Sequence, residues 1–529
     1  MDWNATPRPY WMDRAPPPDL PPLESDVYVD VAVVGGGLVG LTCAYLLKRA
    51  GYTVAVVEAG RLGALTSGAN TGKVTVQHGL LYAPLEQKLG PEAAWLYAEA
   101  NQTALQHIER VQAEEGIACD FERVPAYLCA PAGDAADALT AEHAAARRAG
   151  LPVTLLPGAP LPVPIRAALR LDGQAQFHPR KYLLGLARLI PGGGCHVFER
   201  SRVLRVEDGQ PGRLVLGRGS VTAGDIVLAT HLPLGERGGL FLKAFPRRHV
   251  ALAARLDPAA SEALMTDEAR GMFLSVESPG WSLRIHREGD TVSLIAVGEG
   301  FKTGHGEPRA RLERLARFVE AHFPVQAITH WWGAQDFHSA DGVPYVGRLG
   351  PREHVYAATG FGGWGLTGGT AAALMITDAI RDRPNPWAAL FDATRVNARV
   401  AARDLLRENL DATREWLGGR LTRRPPRSPE ELAPDAGALM RVAGETCAVY
   451  RDAQGALHVL SPVCPHLGCY VTWNGLERSW DCPCHGSRFD ARGAVLEGPA
   501  VQGLRPRTAS GGRRGASEDP GEADAERTP

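Results

Sequence analysis

No stretch of the 529-residue chain approaches the roughly 18 apolar residues that a membrane-spanning helix needs. The opening sequence, MDWNATPRPYWMDR, has no apolar run of the kind found in secretory signals, so we expect a cytoplasmic protein without a membrane span. Positive charge is not in excess, because the formal net charge is −2 and no basic stripe with interleaved aromatic residues occurs. The sequence therefore predicts no nucleic-acid partner, and it contains no internal repeat.

Cysteine is also scarce, and its nine residues are unevenly spread. Four of them crowd together near the C-terminal end, whereas those of the first two hundred residues are scattered and resemble ordinary small buried residues. The crowded residues are Cys464, Cys469, Cys482 and Cys484. In a cytosolic chain, such a cluster favours a metal site over a disulfide scaffold.

A nucleotide-binding motif follows the first apolar strand. Residues 35–40 read GGGLVG and fit G-x-G-x-x-G, between a predicted strand at 30–34 and a predicted helix at 38–50. A second predicted strand, 53–58, ends in Glu58, whose carboxylate is placed to bind ribose hydroxyls. The motif glycines are Gly35, Gly37 and Gly40. They let the backbone approach a pyrophosphate at a helix N-terminus, so we predict dinucleotide binding.

Residues 30–395 resemble the D-amino-acid oxidase/glycine oxidase family of flavoproteins. The resemblance rests on the βαβ unit and on three further stretches, 66–79, 341–347 and 359–368. It implies FAD rather than NAD as the cofactor, with the last stretch laying a helix N-terminus against the flavin. The residues implied to contact FAD there are Gly362, Gly365, Leu366 and Thr367. This stretch also fits G-x-G-x-x-G, but no second strand or acid follows it, so we reject a second nucleotide site.

The resemblance implies oxidation of a small amine or amino acid by hydride transfer to flavin. Three residues are candidates for direct roles, with a structural or surface charge as the alternative reading for each: Lys73, His78 and Lys302. Weaker candidates are Arg284, Asp336 and His338.

The C-terminal cysteines alternate with histidines in two short motifs, CPHLGC at 464–469 and CPCHGS at 482–487. C-x-H and C-x-x-H half-sites place two thiolates on one iron and two imidazoles on the other of a [2Fe–2S] cluster. Zinc takes the same ligand types, but six cysteine and histidine positions exceed the four that it needs. Residues 436–500 resemble Rieske proteins of the cytochrome bc type.

This second resemblance implies a role for each motif residue. The implied cluster ligands are Cys464, His466, Cys482 and His485; the implied disulfide joins Cys469 and Cys484; and Ser487 is implied to hydrogen-bond a bridging sulfide. Phe489 stands where high-potential members carry a tyrosine, so we expect a lower potential. After Gly498-Pro499-Ala500 no final strand pair is evident, and we expect an exposed sheet edge there.

We therefore expect an α/β FAD-binding domain of Rossmann type with an interleaved antiparallel-sheet substrate domain, followed by an all-β Rieske domain. The predicted order is an irregular segment at 1–26, the oxidoreductase at 27–395, a helix and linker at 396–432, the Rieske domain at 433–507 and a disordered tail at 508–529. Within the oxidoreductase, FAD-binding parts at about 27–80, 195–235 and 340–395 alternate with substrate-domain parts at about 81–194 and 236–339. The prolines of 151–180 predict a crossing between domains.

The predicted function is oxidation of an amine or amino-acid C–N bond, with electrons passing from flavin to the cluster and on to an external acceptor. Two alternatives remain open at this point: a redox carrier or sensor without a dedicated substrate, and a reductase module that takes electrons from a partner.

Overall fold

The computed structural model describes residues 2–16, 18–131, 135–350, 354–396 and 429–507. The predicted helix and linker beyond Val396, as far as residue 428, and the tail at 508–529 lie outside these residues. Within the described ranges, no helix has both the length and the apolar character that crossing a bilayer demands.

An eight-stranded sheet carries the G-x-G-x-x-G motif. Its main path runs through Tyr345–Arg348, Val355–Thr359, Ser220–Leu228, Val27–Val34, Val54–Val57 and His196–Phe198. The central strand Val27–Val34 is parallel to both neighbours, and Val203–Glu207 and Gly212–Leu216 extend the sheet beside Ser220–Leu228. The run VAVV occurs at 31–34 and again at 54–57 and is fully buried each time, as expected for parallel strands covered on both faces.

The helices predicted at 38–50, 92–115, 132–149, 307–321 and 367–381 are confirmed with bounds shifted by up to four residues. They are Leu38–Arg49, Pro91–Glu114, Ala136–Arg148, Pro308–His322 and Gly365–Ile380. Shorter helices are Thr66–Ala69, Tyr82–Leu89, Pro179–Leu189 and Ala388–Phe391, and 3-10 turns span Leu234–Leu242, Glu262–Met265 and Pro429–Glu431. Several begin with proline, whose missing N–H costs nothing in a first turn.

A second, ten-stranded sheet forms the interleaved domain. Its path runs through Phe301–Lys302, Ala244–Leu256, Thr291–Gly298, Trp281–Glu288, Met272–Ser275, Glu122–Ala130, Ala167–Gln176 and Lys73–Val74. Val325–Ser339 pairs with Ala244–Leu256, and Thr154–Leu156 pairs with Ala167–Gln176. The predicted antiparallel strands of 246–300 are confirmed.

One sequence expectation for the oxidoreductase needs correction. Residues 151–180 do not simply cross between domains, because the proline-free part of this segment forms the ten-residue strand Ala167–Gln176 inside the second sheet. The N-terminal segment has no helix or strand among its described residues, yet it is firmly packed. Tyr10 and Trp11 are fully buried, and the Trp11 indole N–H donates to the Asn70 carbonyl at 2.7 Å.

The C-terminal β domain contains a three-stranded sheet, Ala436–Val442, Glu445–Arg451 and Leu457–Leu460. Its other sheet has four strands, Thr472–Asn474, Ser479–Asp481, Arg488–Asp490 and Val495–Glu497. The expected exposed edge is wrong at Leu457–Leu460, because the chain returns after Ala500 and the Ser461 N–H donates to the Arg505 carbonyl at 2.8 Å.

Candidate functional site

One cavity of about 860 Å³ joins the parallel sheet, the second sheet and the C-terminal β domain. Its wall includes the glycine loop at 35–39, the segment 57–71, the start of the helix Gly365–Ile380, and residues 274–282 of the second sheet. Residues 495–498, 500 and 501 of the C-terminal domain complete it. The volume lies within the range of small-molecule and cofactor pockets.

The glycine loop has the geometry that a pyrophosphate requires. Gly35 has a φ of +106°, and a side chain at Gly40 would put a Cβ only 2.0 Å from the Gly35 carbonyl oxygen. The helix Leu38–Arg49 can therefore pack against the strand only with glycine there. Gly35 and Gly37 line the cavity, whereas Gly40 lies behind it as this packing residue.

Glu58 lies at the cavity wall beside the loop. Its carboxylate accepts hydrogen bonds from the Gly36 N–H at 2.8 Å and the Gly60 N–H at 2.7 Å, which fixes its orientation. Burial raises the pKa of Glu58, while these two N–H groups act against that rise. A held carboxylate beside a helix N-terminus and a glycine cradle fits the adenosine and pyrophosphate parts of FAD.

The helix Gly365–Ile380 begins at the cavity, so its positive N-terminal end faces the cavity space. Gly362, Gly365 and Leu366 line the cavity as the resemblance implies. Thr367 is instead turned inward and donates to the Thr75 carbonyl at 3.0 Å.

Lys73 lies on the cavity wall in the second sheet. Its ammonium nitrogen bonds the Phe273 carbonyl at 2.8 Å and the Ser282 hydroxyl at 2.6 Å. Burial, and then the neighbouring Arg284, hold the pKa of Lys73 well below its usual value. This side chain is therefore a cavity amine with a strongly weakened hold on its proton.

The other two catalytic candidates are not among the residues that line the cavity. His78 is buried, stacks on Trp364, and contacts the Tyr97 hydroxyl at 2.8 Å and the Thr367 hydroxyl at 3.1 Å. Burial lowers its pKa to about 3. His78 thus supports the start of the flavin-facing helix. Lys302 lies near His485 of the C-terminal domain and contributes to lowering the pKa of that imidazole.

Of the weaker candidates, some line the cavity and one does not. Arg284 is buried and donates to the carbonyls of Thr71, Gly72 and Phe177, so it braces the stretch 66–79 rather than facing the cavity. Asp336 and His338 line the cavity.

The four implied cluster ligands are brought together at the ends of two loops. The His466 and His485 rings are 5.0 Å apart, and the Cys464 and Cys482 thiols are hydrogen-bonded to each other. Burial lowers the pKa of His466 to about 4 and that of His485 to about 3, so both imidazoles are neutral, the form that ligates metal. Among the residues that the structure describes, the buried His466 Nδ1 has no hydrogen-bond partner, as expected for a ligand atom awaiting iron.

The residues around these four side chains are also in place. Cys469 and Cys484 form a disulfide that ties the two loops together. The bond from Cys482, and then one from Ser487, help to lower the pKa of Cys464. Phe489 is fully buried in the same apolar cluster as Cys464 and Cys482. The residues fit a [2Fe–2S] cluster, because two thiols and two neutral imidazoles converge on one site.

Sequence reasoning missed the residues that join the two sites. His231 contacts Asp336 at 2.9 Å and Glu497 of the C-terminal domain at 3.4 Å. The Phe241 ring packs edge-on against the imidazoles of His466 and His485, at 6.0 Å and 5.4 Å. His231 comes soon after the carboxyl end of a parallel strand, where ligands of such sheets bind, and this position could have singled it out. No sequence signal marks Phe241.

Comparisons with known proteins match both parts of the chain. The family model described as FAD dependent oxidoreductase matches residues 30–379, and the Rieske [2Fe-2S] domain model matches residues 426–507. YhfW of Bacillus subtilis (strain 168), named as a Rieske 2Fe-2S iron-sulfur protein, is 31% identical over 506 residues, or 95% of this chain and 98% of the relative. Gamma-glutamylputrescine oxidoreductase of Escherichia coli (strain K12) is 26% identical over 382 residues, or 68% of this chain and 85% of the relative.

Among solved structures, the crystal structure of glycine oxidase from Geobacillus kaustophilus is similar with a TM-score of 0.58 and 20% identity. The match covers 70% of this chain and 99% of that one. At this identity it shows the fold alone.

Proposed function

Because the chain belongs to the FAD dependent oxidoreductase family and continues into a Rieske [2Fe-2S] domain, we propose that it oxidises an amine or amino-acid C–N bond and passes the electrons through its cluster to an external acceptor. The observation that carries this proposal is the single cavity described above. Its wall includes both the substrate-domain sheet and the loop of the Rieske domain. A substrate site and an electron outlet thus adjoin the same cofactor space.

Each cofactor has a defined set of residues to hold it. Gly35, Gly37 and Glu58 are proposed to bind the nucleotide part of FAD, and the start of the helix Gly365–Ile380 to face its flavin. Cys464, Cys482, His466 and His485 are the proposed cluster ligands. When bound, FAD supplies a two-electron acceptor for the substrate, and the cluster supplies a one-electron carrier.

Lys73 is the proposed proton acceptor. A substrate ammonium must lose its proton before its C–N bond can be oxidised. The lowered pKa of Lys73 favours the neutral amine form of its nitrogen. Two N–H groups then bond Phe273 and Ser282, and the nitrogen lone pair is left to take the proton from the substrate.

The fused Rieske domain supports an electron acceptor other than dioxygen, because direct reoxidation of the flavin by dioxygen needs no cluster. Five cysteines outside the cluster loops are buried free thiols. Free thiols are usual in reducing compartments, and we include a cytoplasmic location in the proposal on that ground.

An anaerobic panel of amines and amino acids tests the proposal. We expect at least one compound to bleach the flavin absorbance of the holoprotein and then the cluster absorbance, without any added carrier protein. Bleaching only by a reduced carrier protein would support the reductase alternative and contradict the proposal.

A further inference from the structure

A line of charged side chains crosses the boundary between the flavin domain and the Rieske domain. Arg248 of the flavin domain bonds Glu477 of the Rieske domain at 2.5 Å, and Glu477 in turn lies 3.3 Å from Arg488. Arg488 approaches Glu497 at 3.8 Å, and Glu497 meets His231 of the flavin domain. Most of these side chains are less than one tenth exposed.

His231 closes this line on the flavin side. Its Nε2 faces Asp336 at 2.9 Å, and its Nδ1 faces Glu497 at 3.4 Å. Asp336 also accepts a hydrogen bond from the Gly363 N–H, in the loop that leads into the flavin-facing helix. The imidazole therefore links the loop before the helix Gly365–Ile380 in one domain to the loop at Glu497 in the other.

The Rieske loop held by His231 adjoins both proposed cofactor sites. Glu497, Gly498, Ala500 and Val501 line the shared cavity. On the other side, the Ala500 N–H donates to Ser487 at 3.0 Å, and Ser487 bonds the ligand Cys464. A shift of this loop would change the wall between the two proposed cofactor sites.

We propose that His231 is a positioning residue for electron transfer, which fixes the Rieske loop 495–501 against the FAD cavity by bridging Asp336 and Glu497. The inference rests on the proposed route from flavin to cluster. The transfer that His231 supports moves one electron at a time and makes or breaks no bond. The second electron follows once the external acceptor has taken the first.

The charges around His231 explain why the bridge holds. Two carboxylates face the imidazole, and the Phe337 ring packs edge-on against it at 4.8 Å. Beyond these carboxylates, His338 interacts electrostatically with Asp336, and Arg488 forms an ion pair with Glu497. Burial acts to lower the pKa of His231, but the bonds to Asp336 and Glu497 raise it from 6.5 to about 9. The imidazolium is thus the state that both carboxylates favour.

A pH dependence follows from this raised pKa. A bridge that raises the pKa of a histidine has its full strength below the free value of 6.5 and loses it as the pH rises towards 9. The rate of transfer from flavin to cluster should therefore fall across that interval in the wild type, and it should not fall there in His231→Asn.

Flash photolysis of the full-length holoprotein, with 5-deazariboflavin and EDTA as the photochemical donor, tests the inference without any amine substrate. Reduction of the cluster by the flavin is followed by absorbance as a first-order phase that is independent of protein concentration. We expect His231→Asn and Glu497→Gln to slow this phase at least tenfold, with FAD content, iron content and cluster potential unchanged. His354→Asn is the matched control, because His354 pairs with Asp225 at 3.1 Å within the flavin domain.

Deuterium exchange provides a second readout, with faster uptake in residues 495–501 expected for His231→Asn and Glu497→Gln but not for His354→Asn. A transfer rate in His231→Asn within twofold of wild type, or equal slowing in His354→Asn, would overturn the inference. If His231→Asn loses FAD, Glu497→Gln decides: slowing supports the bridge, and an unchanged rate refutes it. If the wild type itself transfers no electron, the proposed route is wrong, and the positioning role falls with it.

Discussion

Replacing Glu477 with glutamine should strongly destabilise the contact between the two domains. The Arg248 and Glu477 side chains are 1% and 8% exposed, and their closest atoms, Nη2 and Oε2, are 2.5 Å apart. Glu477→Gln keeps the shape of the side chain but removes its charge. Arg248 then remains buried without its ion-pair partner, although the charge of Asp481 still acts on it. Removing one partner of a buried pair costs about 3–5 kcal/mol.

Urea unfolding of the holoprotein, followed by flavin release and by tryptophan fluorescence, measures the loss in the free energy of unfolding. The double variant Arg248→Met with Glu477→Gln should recover most of it, since no unpaired charge is then buried. Glu86→Gln is the control, because Glu86 pairs with the half-exposed Arg148, and such pairs contribute only about 0–1 kcal/mol. A loss in Glu477→Gln no larger than in Glu86→Gln would refute the reasoning.

Three further predictions concern the two cofactor sites. Gly40→Ala should yield protein without bound FAD but with full cluster iron, because its Cβ would lie 2.0 Å from the Gly35 oxygen. Gly217→Ala is the control and should keep its flavin absorbance, because Gly217 has open space around it. Retained FAD in Gly40→Ala would contradict the close packing. Lys73→Met should slow anaerobic flavin reduction by an active amine more than tenfold and should remove the pH dependence of that rate. Lys181→Met, which alters a surface pair with Asp120, should change neither the rate nor its pH dependence. An unchanged rate in Lys73→Met would exclude the proton-accepting role. Phe489→Tyr should raise the reduction potential of the cluster by an amount on the order of tens of millivolts, since a hydroxyl aimed at a thiolate stabilises the reduced cluster. Protein-film voltammetry of both forms at one pH measures the change. An unchanged or lowered potential would mean that the ring does not point at the cluster.

The nucleotide-binding and cluster motifs could be predicted from the sequence because each is local. Gly35 to Gly40 and Glu58 belong to one βαβ unit, and the cluster residues lie on two loops joined by short strands. The spacing of these residues along the chain is therefore enough to predict a dinucleotide site and a cluster site. The strand Ala167–Gln176 was missed because the prolines that flank it hid a short alternating run.

The sequence could not predict how the two domains meet. His231 and Glu497 are 266 residues apart, and Arg248 and Glu477 are 229 apart. Neither pair belongs to a motif. The same long-range packing explains why Lys302, predicted at the flavin, lies near His485, and why His78 supports a helix behind the cavity wall.

The measurement that tests the central claim most directly is rapid-freeze EPR after anaerobic mixing with an amine that bleaches the flavin. We expect the signal of a reduced Rieske cluster to appear after the flavin bleaches, with up to one electron per chain in the cluster and at a rate independent of protein concentration. A flavin that stays bleached for minutes beside an oxidised, EPR-silent cluster would contradict it.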